Sequence, residues 1–192
     1  MPDQSKVVRF EEIALPYMPA AYNLARWLVH NEADAEDVVQ EAYLRAFRFF
    51  SGYYGGDTRA WLLTIVRNTS YTWLQQNRAL RLADPIEDKL DEVGLDFADP
   101  EILLLQRIDS QIVRHALQEL PVEFREVVVL REMEALSYKE IANIVDIPIG
   151  TVMSRLKRGR KRLHGLLANL MGKGAGNELP GNTRIDSRLS RR

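Results

Sequence analysis

SYKEIANIVDIPIGTVMSRLKRGRKR, residues 137–162, reads as two short helices around a tight turn. Ser137 and Glu140 form an S-x-x-E capping box, which predicts a helix beginning at Tyr138. Ile141, Ala142, Ile144 and Val145 supply its apolar face. Asp146 tolerates the left-handed conformation that ends such a helix, and Pro148 suits the opening of the next. In that second helix Val152, Leu156 and Leu163 recur at helical spacing and face inward. Thr151, Ser154, Arg155, Arg158 and Arg162 then fall on the outward face, and six Lys/Arg crowd into residues 155–162. A helix-turn-helix sets such a face in the major groove, where Arg bonds guanine through two parallel hydrogen bonds. A solvated basic helix accounts for the charge alone; the capped two-helix frame favours DNA binding.

The rest of the composition narrows the class. At 192 residues the chain allows one domain or two small ones. With no cysteine it holds no disulfide, no zinc finger and no thiol switch. No apolar run approaches the ~20 residues that cross a bilayer, and MPDQSKVVRFEE lacks a signal-peptide core, so a cytoplasmic protein is expected. The net charge of −1 hides a polar layout: residues 155–192 carry 11 basic and 2 acidic side chains, the remainder 15 basic and 25 acidic. Phosphate attraction drives non-specific DNA binding, so an acidic front half implies a second partner that is not nucleic acid or that brings positive charge.

The pattern predicts an all-α protein of two small helical domains. Residues 10–82 are helical in periodicity; 83–101 form an acidic, flexible linker with Pro85, Gly94 and Pro100; helical pattern resumes over 102–171; and 172–192 form a basic tail expected to be disordered. In DAEDVVQEAYLRAFRFF, residues 34–50, Asp34 is the expected helix cap, and Val38, Val39, Ala42, Tyr43, Ala46, Phe47, Phe49 and Phe50 give a broad buried face. The opposite ridge runs Asp37, Gln40, Glu41, Leu44, Arg48, with Leu44 an apolar side chain in a polar stripe. Such a residue suits a partner contact, although a single exposed leucine is common. The loop SGYYGGD, residues 51–57, carries Tyr53 and Tyr54 and precedes a helix with Arg59, Arg67, Tyr71, Arg78 and Arg81 mostly outside its buried stripe. Aromatics on a glycine loop beside cations suit single-stranded DNA; tyrosines packed on the domain with ordinary surface arginines are the plainer account.

In this order the segments resemble a sigma factor of the extracytoplasmic-function group of the sigma-70 family. DAEDVVQEAYLRAF is similar to the core-polymerase-binding helix of region 2.2, and RAWLLTIVRNTSYTWL to region 2.4. ALQELPVEFREVVVLREMEALSYKEIANIVDIPIGTVMSRLKRGRKRL resembles region 4. The resemblance implies that Asp37, Gln40, Glu41 and Leu44 dock on the clamp helices of the largest subunit of core RNA polymerase, and that the back domain meets the flap of the second-largest. It assigns Tyr53, Tyr54, Asp57, Arg59, Arg67 and Tyr71 to the minus-10 element. Thr151, Ser154, Arg155 and Arg158 would read the minus-35 element, with Lys139, Lys157, Lys161 and Arg162 on phosphates. It further implies promoter DNA and an anti-sigma factor as partners, a place in a stress response, and no cofactor, metal or small-molecule substrate. Ala135 departs from the family, which often has glycine there before the S-Y-x-E-I-A run, so that turn is expected to be strained or altered.

Two other classes compete. Enzyme function lacks support: His30, His115 and His164 are solitary, and there is no phosphate-binding glycine loop or nucleophile elbow. A stand-alone helix-turn-helix regulator binding operator DNA as a dimer needs a dimer surface and has no use for the acidic 34–50 helix.

Overall fold

A computed structural model describes residues 4–77 and 111–174; the linker 83–101, Arg78, Arg81 and most of the tail lie outside the described residues. All regular structure among the described residues is helical. The front unit comprises α1 (Gln4–Ala14), α2 (Met18–Val29), α3 (Glu32–Phe49) and α4 (Thr58–Gln76). The back unit comprises α5 (111–118), α6 (Val122–Glu132), α7 (Tyr138–Val145) and α8 (Ile149–Gly174). The front unit thus begins before residue 10, and α8 runs beyond the expected end at residue 171.

Local chemistry accounts for most boundaries. α2 stops where His30 takes a left-handed conformation. The polar run after it offers several caps, and Asn31 rather than Asp34 fills the role: its side chain accepts from the Asp34 amide at 3.1 Å, so α3 starts earlier than expected. Glu32 and Asp34 then sit in the first turn, against the positive end of the helix. Asp57 caps α4 by accepting from the Ala60 amide at 2.9 Å, after Gly55 and Gly56 turn the chain at φ 96° and 112°. The capping box of α7 is present in both directions, Asp146 closes that helix at φ 57°, and the Pro148 carbonyl receives the Thr151 and Val152 amides to open α8.

Packing follows from which faces are apolar. α2, α3 and α4 pack mutually around Leu24, Leu28, Val38, Ala42, Leu63 and Val66. Thr69 and Ser70 are buried on α4, and their hydroxyls bond the carbonyls of Ile65 and Val66, which removes the cost of burying them. In the back unit α6 is buried almost all round, from Arg125 to Leu130, and α8 lies close against it. That approach needs Gly159, where an added Cβ would stand 3.0 Å from Val128 Cγ2. The two units also pack on each other: α2 meets α6, α4 meets α7, and their apolar residues form one cluster.

Candidate nucleic-acid and polymerase interface

Glu126 of α6 is fully buried and gathers three side chains that the sequence assigns to DNA. Arg67 Nε donates to its Oε2 at 2.8 Å, the Tyr71 hydroxyl donates to the same oxygen at 3.0 Å, and Arg155 Nη1 donates to Oε1 at 3.2 Å. The Arg67 guanidinium also lies 4.5 Å above the Tyr71 ring. Burial works against the charge on Arg67, but its hydrogen bond and attraction to Glu126 outweigh that, so its pKa is raised. Burial, reinforced by the negative charge of Glu126, raises the Tyr71 phenol as well. A second carboxylate repeats the pattern. Glu134 is buried, receives Arg59 Nη2 at 2.6 Å and receives Asn23 Nδ2 at 2.6 Å. Two glutamates of the back unit therefore engage the polar side chains of α4 that the family resemblance assigns to the minus-10 element.

Arg155 is the clearest departure from the helical-wheel expectation. It lies three residues after buried Val152 and four before buried Gly159, at the edge of the buried face, and its side chain reaches Glu126 and is only 27% exposed. Ser154, Lys157, Arg158, Lys161 and Arg162 are exposed on the same helix, Thr151 is half-buried, and Lys139 is exposed on α7. Ser154 Oγ donates to the Thr151 carbonyl at 2.9 Å.

The loop divides its two tyrosines. Tyr53 stacks on Phe50, lies with its ring 4.7 Å from Trp61, and its hydroxyl meets Thr58 Oγ1 at 2.7 Å, so it is packed on the unit rather than presented. Tyr54 is 97% exposed at the tip, and Asp57 is exposed while capping α4. Sequence alone weighs the two tyrosines alike, because the partners of Tyr53 lie on both sides of the glycine turn.

On the far side of the front unit, Asp37 and Gln40 are exposed, Glu41 is half-buried and pairs with Arg45 at 2.7 Å, and Leu44 is 49% exposed. Leu44 borders an open apolar groove of about 1060 Å³ between α1, α2 and α3, whose walls include Phe10, Met18, Val39, Tyr43 and Phe47. Tyr43 braces it by donating to the Ala14 carbonyl at 3.0 Å, and burial pushes its phenol up to about 12. The groove is the feature that sequence reading missed: its walls come from three helices, and only the exposed Leu44 hinted at it. No helix among the described residues is long and apolar enough to cross a membrane, and no group of His, Asp or Glu among them is arranged to hold a metal.

Comparison with known proteins agrees with this architecture. Residues 13–80 match the family model for Sigma-70 region 2, and residues 110–163 that for Sigma-70, region 4. The chain is 33% identical over 166 residues to the ECF RNA polymerase sigma factor SigE of Mycolicibacterium smegmatis, covering 86% of this chain and 64% of that protein. It is 38% identical over 137 residues to the ECF RNA polymerase sigma-E factor of Escherichia coli, covering 68% of this chain and 72% of the relative. Among solved structures it resembles the sigma factor RpoE in complex with the anti-sigma factor NepR from Bartonella quintana, with a TM-score of 0.68, 28% identity, and 83% and 97% of the two chains covered. It also resembles CnrH in complex with the cytosolic domain of CnrY, with a TM-score of 0.57, 26% identity, and 83% and 88% covered.

Proposed function

The chain belongs to the extracytoplasmic-function group of the sigma-70 family, and from that membership we propose that it binds core RNA polymerase in the cytoplasm and directs promoter-specific initiation. It acts as a DNA-binding regulator rather than as an enzyme. The observation that carries the reading is the pairing, in one chain, of a region 2 unit bearing an exposed Leu44 ridge with a region 4 unit bearing an exposed basic recognition helix. An operator-binding dimer has no use for the first of these. The front domain, 10–82, would dock on the clamp helices through Asp37, Gln40, Glu41 and Leu44, and would meet unpaired minus-10 bases through Tyr54 and α4. The back domain, 102–171, would meet the flap and read the minus-35 element through α8, with Lys139, Lys157, Lys161 and Arg162 on phosphates.

The same geometry supports a closed resting form. Arg59, Arg67 and Tyr71 are engaged by Glu134 and Glu126, so α4 meets DNA only after the units part. Core polymerase would hold the units apart, and an anti-sigma factor of the kind found with the two similar structures would hold them from it. The test is a binding assay on promoter duplex with the chain alone and with core polymerase. Sequence-specific retention only in the mixture supports the reading; tight binding by the isolated chain with a two-fold symmetric footprint would favour the dimeric regulator.

A further inference from the structure

We infer that Met153, with Ile149 one turn before it, reads the C5-methyl group of a thymine in the minus-35 element, an inference that rests on the sigma-factor reading above. Val152, Leu156 and Gly159 are buried on α8, whereas Ile149, Gly150, Met153, Ser154, Lys157, Arg158 and Lys161 are exposed. Ile149 is 45% and Met153 52% exposed, four residues apart and therefore on one face. Helix-turn-helix recognition helices put their N-terminal residues against base edges. The first two turns of α8 offer Ile149, Thr151, Met153 and Ser154 for that purpose, and their one cation, Arg155, is drawn back onto Glu126. The deepest part of the reading surface thus holds hydroxyls and apolar groups and no free guanidinium. That composition suits the methyl of thymine and not the two acceptors of guanine. An exposed methionine alone is ordinary surface. Here the two apolar side chains are followed one turn on by exposed Lys157, whose charge complements the phosphates flanking a groove and so commits the face to duplex DNA. Methionine is flexible and polarisable enough to follow a methyl group on a base edge.

The test uses the full chain with core polymerase and a promoter selected by that mixture from a randomised duplex library. Each minus-35 thymine is then replaced singly by deoxyuracil, which removes the methyl and leaves the pairing unchanged. Wild type should lose about fourfold in occupancy at one or two positions, the size expected for one buried methyl group. Met153→Ala should bind the selected promoter about fourfold more weakly and become indifferent to deoxyuracil at one of those positions, while its thermal melt stays that of wild type. Wild type insensitive to deoxyuracil everywhere, or Met153→Ala as sensitive as wild type, would overturn the inference. So would a Met153→Ala variant that binds core polymerase more weakly without DNA, which would give this face to polymerase instead. A library that shows no enrichment with core polymerase would fail the sigma-factor reading itself, and the inference with it.

Discussion

Arg67 of α4 and Glu126 of α6, 59 residues apart in the chain, meet at 2.8 Å, with the carboxylate wholly buried and the guanidinium 18% exposed. A pair so placed has given up its water, and removing one partner of a buried pair typically costs about 3–5 kcal/mol. Arg155 shares the same carboxylate, so one residue both braces α8 and fastens the front unit to the back one.

The second carboxylate offers a cleaner test of closure, because its side-chain bonds run between the units, to Asn23 and Arg59. Glu134→Arg sets a cation against Arg59 and should open the chain while leaving helical circular dichroism unchanged. The absence of cysteine allows a fluorophore pair at introduced cysteines replacing Ser51 and Ala168. Transfer efficiency should fall in the variant. Equal transfer in the variant and the parent would mean that the apolar contact alone keeps the units together.

Arg155 and Lys161 should behave differently under mutation. Arg155→Ala leaves Glu126 with one cation fewer and should lower the melting temperature, with ~1–3 kcal/mol lost. It should weaken promoter binding through disorder of α8, with base preferences otherwise retained. Lys161→Ala should leave the melt alone, weaken all sequences alike and reduce the salt slope by about 1. A base-substitution scan and a salt titration of each variant distinguish these roles. A loss of guanine preference at one position in Arg155→Ala would restore that residue to direct reading.

Leu44 tests the polymerase surface. It is half exposed beside the α1–α3 groove, so Leu44→Asp should leave the fold and melt nearly unchanged. Pull-down of core polymerase should be lost, since an interface anchor contributes ~2 kcal/mol or more and the new charge adds a desolvation cost. A variant that melts early would mean that Leu44 supports the bundle.

Ala135 stands at φ 52°, in the left-handed region that costs a residue with a Cβ roughly 1–2 kcal/mol. It is exposed and precedes the capping box of α7. Ala135→Gly should therefore stabilise the chain by up to ~1 kcal/mol, less than the full strain because glycine also loosens the unfolded state. Chemical denaturation of the two proteins measures it, and a less stable glycine variant would contradict the account.

The capping box, the left-handed Asp146 and the Pro148 opening of α8 were legible in the sequence because each depends on a few neighbouring residues, whereas the strain at Ala135 was expected only from the family resemblance. Competition among local signals spoiled the start of α3: Asn31 and Asp34 both suit a cap, and only the fold selects Asn31. The partners of Arg155 and Tyr53 were hidden for another reason: a long side chain goes where its partner is, and that partner lies far along the chain or across a turn. Glu126 lies 29 residues before Arg155, and the hydroxyl partner of Tyr53, Thr58, lies across a glycine turn. The closed packing of the units was least accessible, because Glu126 and Glu134 look like ordinary surface acids until α4 and α7 are brought together.

Transcription from a genomic promoter library by core polymerase, with and without the full chain, tests the central claim most directly. Addition of the chain should raise transcripts from a small set of promoters that share a minus-35 and a minus-10 element at fixed spacing, and Leu44→Asp should abolish that gain. Unchanged transcripts, or repression that persists with Leu44→Asp, would contradict the account.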